Sequence, residues 1–317
     1  LANALKTTNR QNFFSPIIFI SKLHHLSLHE NNLPMLDQSI INLYDEYTHK
    51  PLSRLEFIQR LALLAGGMSA AMSILPLLES AYSHPLSDES VDLFTERVNY
   101  PGVNGEMRAY VARPKEDKPY PTIIVIHENR GLTLHIEDVA RRVALAGFLA
   151  IAPNALAPIG EVKDEDEART KFAELKAEDN EQNFIRVFDY LKTRKDSNGN
   201  YGCVGFCWGG AMSNFLITNV PQLKAAVAFY GRQGKIEQVP QIKGALQLHY
   251  AENDERVNAG MATYEDALKA NHIVYEQYIY PAVQHAFHND TSAARYNGEA
   301  AQLAWGRTID FFNKYVK

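Results

Sequence analysis

At 317 residues, 46% of them hydrophobic, the chain can bury one large core or two small ones. A formal net charge of −5 supplies no electrostatic footprint for nucleic acid, so nucleic-acid partners are excluded from the reading. The two cysteines, Cys203 and Cys207, lie on one strand and its turn, roughly 13 Å apart if extended. A disulfide needs Cα atoms within about 7 Å, and the spacing is not a zinc spacing, so a free thiol is left to explain.

In chain order, residues 1–34 are polar and irregular apart from an apolar patch at 16–20. Met35 opens a better-patterned stretch and is read as the natural start, the preceding residues being an extension. A helix is expected over residues 36–47, with Ile40, Ile41, Leu43 and Tyr44 on one face. Next come Ser53-Arg54-Leu55-Glu56-Phe57-Ile58-Gln59-Arg60, the apolar run 61–78 and the small-residue stretch Ser80-Ala81-Tyr82-Ser83. This resembles a twin-arginine export signal, with Leu55 where the second arginine belongs. Two outcomes stay open: a periplasmic protein if residues 53–83 act as a degenerate signal, or a cytoplasmic one with that segment a helix packed on the domain. Gly66-Gly67 and Pro76 argue against a stable membrane span. The expected organisation is an N-terminal extension over residues 1–83 and one α/β domain over 84–317.

From residue 93 the pattern changes to strands. Residues 93–100 and 107–113 flank Pro101-Gly102-Val103-Asn104-Gly105 as a hairpin. Thr122-Ile123-Ile124-Val125-Ile126 is a continuous apolar run, the mark of a strand covered on both faces. A helix over 136–146, a strand over 148–152 and two charged helices within 161–194 follow, the carboxylates of the latter forming a solvated face. Further strands are expected near residue 201 and over 225–230, 245–250 and 274–280, with helices at 259–270 and 300–315. Strands alternating with helices predict a mostly parallel central sheet with helices on both faces, and ligands at the carboxyl ends of its strands.

The strand near 201 leads into Gly205-Phe206-Cys207-Trp208-Gly209, whose Gly-x-Cys-x-Gly spacing is the nucleophile elbow of the α/β-hydrolase fold with cysteine in place of serine. So tight a turn strains the nucleophile's backbone and leaves no room for a Cβ two residues to either side. The helix that follows favours thiolate at its N-terminus. Asp254 follows the strand 245–250 and His285 follows the strand 274–280, which gives nucleophile, acid and histidine in the order this fold uses. His285 would exchange the proton and Asp254 would hold its tautomer, with Glu252, Glu255 and His288 as competitors for these places. The loop His127-Glu128-Asn129-Arg130-Gly131 nominates the backbone N–H of Asn129, beside that of Trp208, for the oxyanion hole. Glu128 is expected to point into the pocket beside the thiol, or to pair with Arg130. Trp208, Phe206 and Tyr230 suggest an apolar lining.

Together with His285-Ala286-Phe287, these segments resemble the dienelactone hydrolase family over residues 93–317. The resemblance implies a single-domain α/β-hydrolase, a Cys207–His285–Asp254 triad, and a glutamate, here Glu128, that holds the resting thiol until substrate binds. It implies hydrolysis of a small-molecule ester or lactone through a thioester, with no metal or organic cofactor, by a monomer or small homo-oligomer. Family members that act on dienelactone grip its carboxylate with arginines, one shortly after the catalytic histidine. Here Asn289 stands four past His285, which leaves Arg130, Arg169 and Arg232 as candidates for substrate binding. Two rivals are a metal hydrolase built from His127, His249, His285 and His288 with Glu128, and a non-catalytic binding or scaffold protein on the same fold.

Overall fold

The computed structural model describes residues 36–50, 52–79 and 92–317. The expectations placed on residues 1–35 and 80–91, including the start at Met35 and the small residues 80–83, lie outside the described residues. From residue 92 onward the chain forms an eight-stranded sheet in the order β1-β2-β4-β3-β5-β6-β7-β8. Strands β1 (Leu93–Pro101) and β2 (Glu106–Pro114) form the predicted hairpin, and β2 runs antiparallel to β4 (Leu149–Asn154). Strands β3 (Tyr120–Ile126), β5 (Ser197–Phe206), β6 (Leu223–Phe229), β7 (Ala245–Asn253) and β8 (Tyr275–Gln284) complete the sheet, and all pairings from β4 to β8 are parallel.

Successive side chains of a strand point to opposite faces, so a strand covered on both sides must be apolar throughout. In β3, Ile123 and Val125 enter one core while Ile124 and Ile126 enter the other. In β6, Ala225, Val227 and Phe229 divide from Ala226 and Ala228 in the same way. Helices α4 (Leu134–Leu145) and α10 (Gly298–Tyr315) cover the first face. The second is covered by α6 (Ala177–Thr193), α7 (Trp208–Asn219) and α9 (Met261–Ala270). Helix α5 (Glu165–Ala173) and the short α8 (Glu255–Asn258) sit in the connections after β4 and β7.

The stretch ahead of β1 is helical. Helix α1 (Gln38–His49) starts two residues later than expected, where the Asp37 carboxylate accepts the Ser39 N–H as an N-cap. Ser53 caps α2 (Arg54–Ala65) in the same way, and Gly66, at φ 82°, ends it before α3 (Met68–Glu79). Tyr44, Tyr47, Phe57 and Leu61 of α1 and α2 share one apolar cluster with Leu75 and Leu78 of α3. Among the described residues no single helix is long and apolar enough to cross a membrane; Arg54–Ala65 and Met68–Leu78 pass that test only as a pair bent by 112°. Helix α1 docks on the sheet's carboxyl end through polar contacts. The Asn129 side chain donates to Thr48 O at 2.6 Å, and the Tyr47 hydroxyl donates to Asp166 at 2.6 Å.

The turn after β5 bears out the glycine requirement in atomic terms. A Cβ on Gly205 would stand 1.9 Å from Gly209 O, and one on Gly209 would stand 2.3 Å from Ile126 O. Both neighbours are backbone atoms that cannot swing away. We therefore expect Gly209→Ala to destabilise the fold by about 3 kcal/mol, lowering Tm by about 6 °C or more. A Cβ on Gly306, in α10, would meet nothing within 4 Å, so Gly306→Ala is the matched control; it should leave Tm level or raise it. Thermal unfolding of the two variants side by side checks this.

Candidate active site

Cys207 caps the N-terminus of α7 with φ 55° and ψ −110°, a left-handed conformation that a residue with a Cβ adopts only under strain. Its N–H donates to Phe229 O at 3.0 Å and its carbonyl accepts from Ala211 N–H at 3.1 Å, so the strain is held from both sides. The thiol is almost fully buried and, like that of Cys203, is in no disulfide. Cys203 faces the core within β5, where burial pushes its thiol up to about 12.

Loops at the ends of β7 and β8 bring Asp254 and His285 together. His285 Nδ1 and Asp254 Oδ2 lie 2.5 Å apart, both residues buried, and Asp254 Oδ1 also accepts the Val257 N–H at 3.2 Å. Ala286, next to the histidine, has φ 65°, a second strained position at the site. Burial opposes charge on His285, but the charges of Cys207 and Asp254 prevail and raise it to about 10. A ring nitrogen of His285 lies within 4.8 Å of Cys207 Sγ, and its Nε2 makes no short hydrogen bond among the described residues although the two side chains interact.

The ring nitrogen with a short contact to the thiol comes from α1. His49 Nε2 stands 3.1 Å from Cys207 Sγ. The His49 ring meets that of His285 edge-on at 4.7 Å, and its Nδ1 faces Asp45 O at 2.8 Å and Asp45 Oδ1 at 3.2 Å. Burial alone would push the thiol up, but the charges of His49 and His285 outweigh it and bring Cys207 down from its usual 9.0 to about 6. In sequence, Asp45 and His49 show only an Asp-x-x-x-His spacing that puts both side chains on one helix face. One ring nitrogen each of His49 and His285 and the Cys207 sulfur lie within 4.8 Å of one another, so the thiol sits between two imidazoles.

Glu128 borders the same small cavity as Cys207 and His285, but its carboxylate bonds elsewhere. It accepts from Asn289 Nδ2 at 2.7 Å and from the Tyr230 hydroxyl at 3.4 Å. Its described hydrogen bonds run to Asn289 and Tyr230, and none runs to the thiol. Arg130 does not pair with Glu128; its guanidinium donates to the backbone and side-chain oxygens of Asn129. Arg169 borders the larger cavity, but it donates to Tyr47 O and Leu52 O at 3.0 Å and stacks over the Tyr47 ring at 4.2 Å, fastening the N-terminal helices to α5. Arg232 is exposed on that cavity's wall and forms no ion pair among the described residues.

The histidines of the rival metal set do not converge. His127 donates to Glu128 O and accepts from the Ala155 N–H, and burial holds it down to about 4. His249 is bonded to Tyr280 and Gln247, with burial lowering it to about 3, while His288 stacks on Phe206. Phe206 itself belongs to the core rather than the pocket wall. The thiol opens onto two cavities, one of 970 Å³ and one of 270 Å³, divided by Thr48, His49 and Asn129, which line both. The larger has an apolar wall of Leu52, Phe172, Trp208, Ala211 and Tyr230 with Lys50, Arg232 and Arg256 among its polar groups.

Residues 107–316 match the model of the dienelactone hydrolase family. Two curated relatives bear the name "Putative carboxymethylenebutenolidase". The Escherichia coli K12 protein is 31% identical over 231 residues, 68% of this chain and 85% of its own. The Saccharolobus solfataricus protein is 30% identical over 261 residues, 70% and 99% of the two chains. Among solved structures, a "Putative Dienelactone Hydrolase" from Klebsiella pneumoniae superposes with a TM-score of 0.64 at 28% identity, covering 70% of this chain and 99% of that one. The Pyrococcus horikoshii acylaminoacyl peptidase shares the fold alone, at 14% identity and a TM-score of 0.57, over 71% of this chain and 42% of that one. The chain therefore belongs to the dienelactone hydrolase family, an α/β-hydrolase acting on the ester or lactone bond of a small molecule.

Proposed function

We propose that Cys207 attacks a carboxylic ester or lactone carbonyl and forms a thioester, with His285 and Asp254 as its partners in a catalytic triad. The observation that carries this reading is the strained thiol at the head of α7 beside a buried His285–Asp254 pair. In the first half-reaction the sulfur–carbon bond forms and the carbonyl electron pair moves onto oxygen. The N–H groups of Trp208 and Asn129 receive that oxyanion. On its collapse the carbon–oxygen bond breaks and the departing alkoxide takes the proton from His285. Water then gives a proton to His285 as its oxygen attacks the thioester, and the sulfur leaves as thiolate.

Glu128 takes no direct part in holding the thiol in this reading, since Asn289 and Tyr230 engage its carboxylate. Arg232 is the cation proposed to meet an anionic group on the substrate, and Arg169 serves the packing of the N-terminal helices. The test is steady-state hydrolysis of a short-chain aryl ester, a long-chain aryl ester and a dienelactone by the full chain. Turnover of at least one is expected, and an Arg232→Ala variant should raise KM for dienelactone more than for the neutral esters. Failure to hydrolyse any of the three would contradict the reading.

A further inference from the structure

We propose that His49 is a second catalytic histidine: held by Asp45, it takes the proton of the Cys207 thiol and keeps the sulfur as thiolate. This rests on the thioester reading above and divides labour within that site. His49 would serve the sulfur, and His285 with Asp254 would serve the leaving group and the water.

The geometry separates the two imidazoles. His49 Nε2 is the hydrogen-bonding neighbour of Sγ, at 3.1 Å. His285 Nε2 is buried and makes no short hydrogen bond among the described residues, although its ring shares in the interaction with the thiol, and in this proposal it turns to the substrate's oxygen once substrate enters. Each ring meets an aspartate through its Nδ1: His285 bonds the Asp254 carboxylate at 2.5 Å, and His49 bonds the Asp45 carbonyl at 2.8 Å with the Asp45 carboxylate beside it at 3.2 Å. A carboxylate on Nδ1 favours the ring's charged form and fixes its orientation. Asp45 is itself kept ionised: burial pushes its carboxyl up, but the His49 hydrogen bond and the charges of His285, His49 and Arg295 hold it well below the usual range.

Proton and electron counts balance with His49 charged throughout. The thiol proton passes to His49 Nε2 once, leaving a thiolate that forms and later releases the carbon–sulfur bond. His285 alone gives and regains the proton in each turnover. The family resemblance implies Glu128 for the task of holding the resting thiol, and here that carboxylate is bound to Asn289 and Tyr230. His49 occupies the vacated role from a helix whose partner in the contact lies 158 residues away in sequence.

The titratable and charged groups facing the sulfur and His49 are few enough to name. From α1 comes Asp45, from the sheet's loops come His285, Asp254, Tyr230 and Glu128, and Arg295 adds a positive charge that acts on the sulfur. Arg256 and Arg295 approach Asp45 at 3.8 and 3.6 Å. A thiol brought down by neighbouring positive charge is thiolate above its lowered value and protonated below it. Loss of His49 should therefore move the onset of thiolate to higher pH, back toward the ordinary thiol range.

The experiment follows carboxamidomethylation of Cys207 by iodoacetamide across pH, read by peptide mass spectrometry to separate it from Cys203. The full-length wild type is compared with His49→Gln, Asp45→Asn and His285→Gln, with aryl-ester turnover measured in parallel. Wild-type alkylation should reach half its maximum near pH 6. In His49→Gln the midpoint should rise by about one pH unit or more, with ~10-fold slower alkylation near neutrality and recovery in alkali. Asp45→Asn should shift it in the same direction by less, and it carries the test should His49→Gln not fold. His285→Gln should lose ester turnover while moving the midpoint less than His49→Gln does.

A wild-type midpoint preserved in His49→Gln, or in Asp45→Asn alone if that is the folded variant, would overturn the assignment. So would a larger shift in His285→Gln than in His49→Gln. Unabated ester hydrolysis by protein alkylated at Cys207 would instead overturn the thioester reading itself, a separate and recognisable failure.

Discussion

Replacing Cys207 with alanine is expected to lower kcat/KM for ester hydrolysis by at least ~10⁴-fold, about 5 kcal/mol of transition-state stabilisation. The loss is large because the proposed reaction has no second nucleophile. The oxyanion N–H groups and the imidazoles would remain, but water would have to attack a carbonyl positioned for sulfur. The fold should be largely unaffected. Cysteine and alanine both carry a Cβ, so the strain of φ 55° is the same in each, and what is removed is one sulfur atom from a position 7% exposed. Thermal unfolding near the wild-type temperature alongside the kinetic loss is the expected pair of results. Wild-type turnover by the alanine variant would sink the nucleophile assignment.

Asp254→Asn is expected to lower kcat by ~10²–10⁴-fold with a much smaller effect on thiol alkylation. The carboxylate accepts from His285 Nδ1 at 2.5 Å, which directs the Nε2 face of the ring toward the reacting atoms. An asparagine of the same shape can turn its NH₂ to the ring, reverse the tautomer and leave a proton on the wrong nitrogen. It also removes one of the charges that raise His285 to about 10, so the ring gives up its proton at lower pH. The pH–rate profile should accordingly lose its alkaline breadth. The Val257 N–H contact, at 3.2 Å, can still be met by the asparagine oxygen, which favours a folded protein. Equal losses in alkylation and turnover would mean that His285, and not His49, governs the thiolate.

The strands are legible in the sequence because a parallel sheet with two covered faces demands unbroken apolar runs, and Thr122–Ile126 and Ala225–Phe229 meet that demand residue by residue. The elbow is legible for a different reason: its packing forbids any Cβ at Gly205 and Gly209, which leaves a fixed spacing around Cys207. Asp254 and His285 can be found because topology puts the ends of β7 and β8 beside that elbow. His49 cannot. Its segment reads as an amphipathic helix followed by a signal-like stretch, and nothing local records that the helix end reaches the sulfur. The arginines mislead for a similar reason. Arg169 looks free in sequence, but the carbonyls of Tyr47 and Leu52, more than 100 residues away, take its guanidinium. Glu128 does border the expected cavity, but its partners Asn289 and Tyr230 are long-range, and they decide where the carboxylate points.

Interception of the acyl-enzyme tests the central claim most directly. The full-length protein would be mixed with a slowly deacylating aryl ester, quenched in acid and digested for peptide mass spectrometry. One acyl group on the peptide bearing Cys207, labile to hydroxylamine and absent from Cys207→Ala, is the predicted result. Hydrolysis that proceeds with no acyl group on Cys207 at any quench time, or with the acyl group on another residue, would contradict the account.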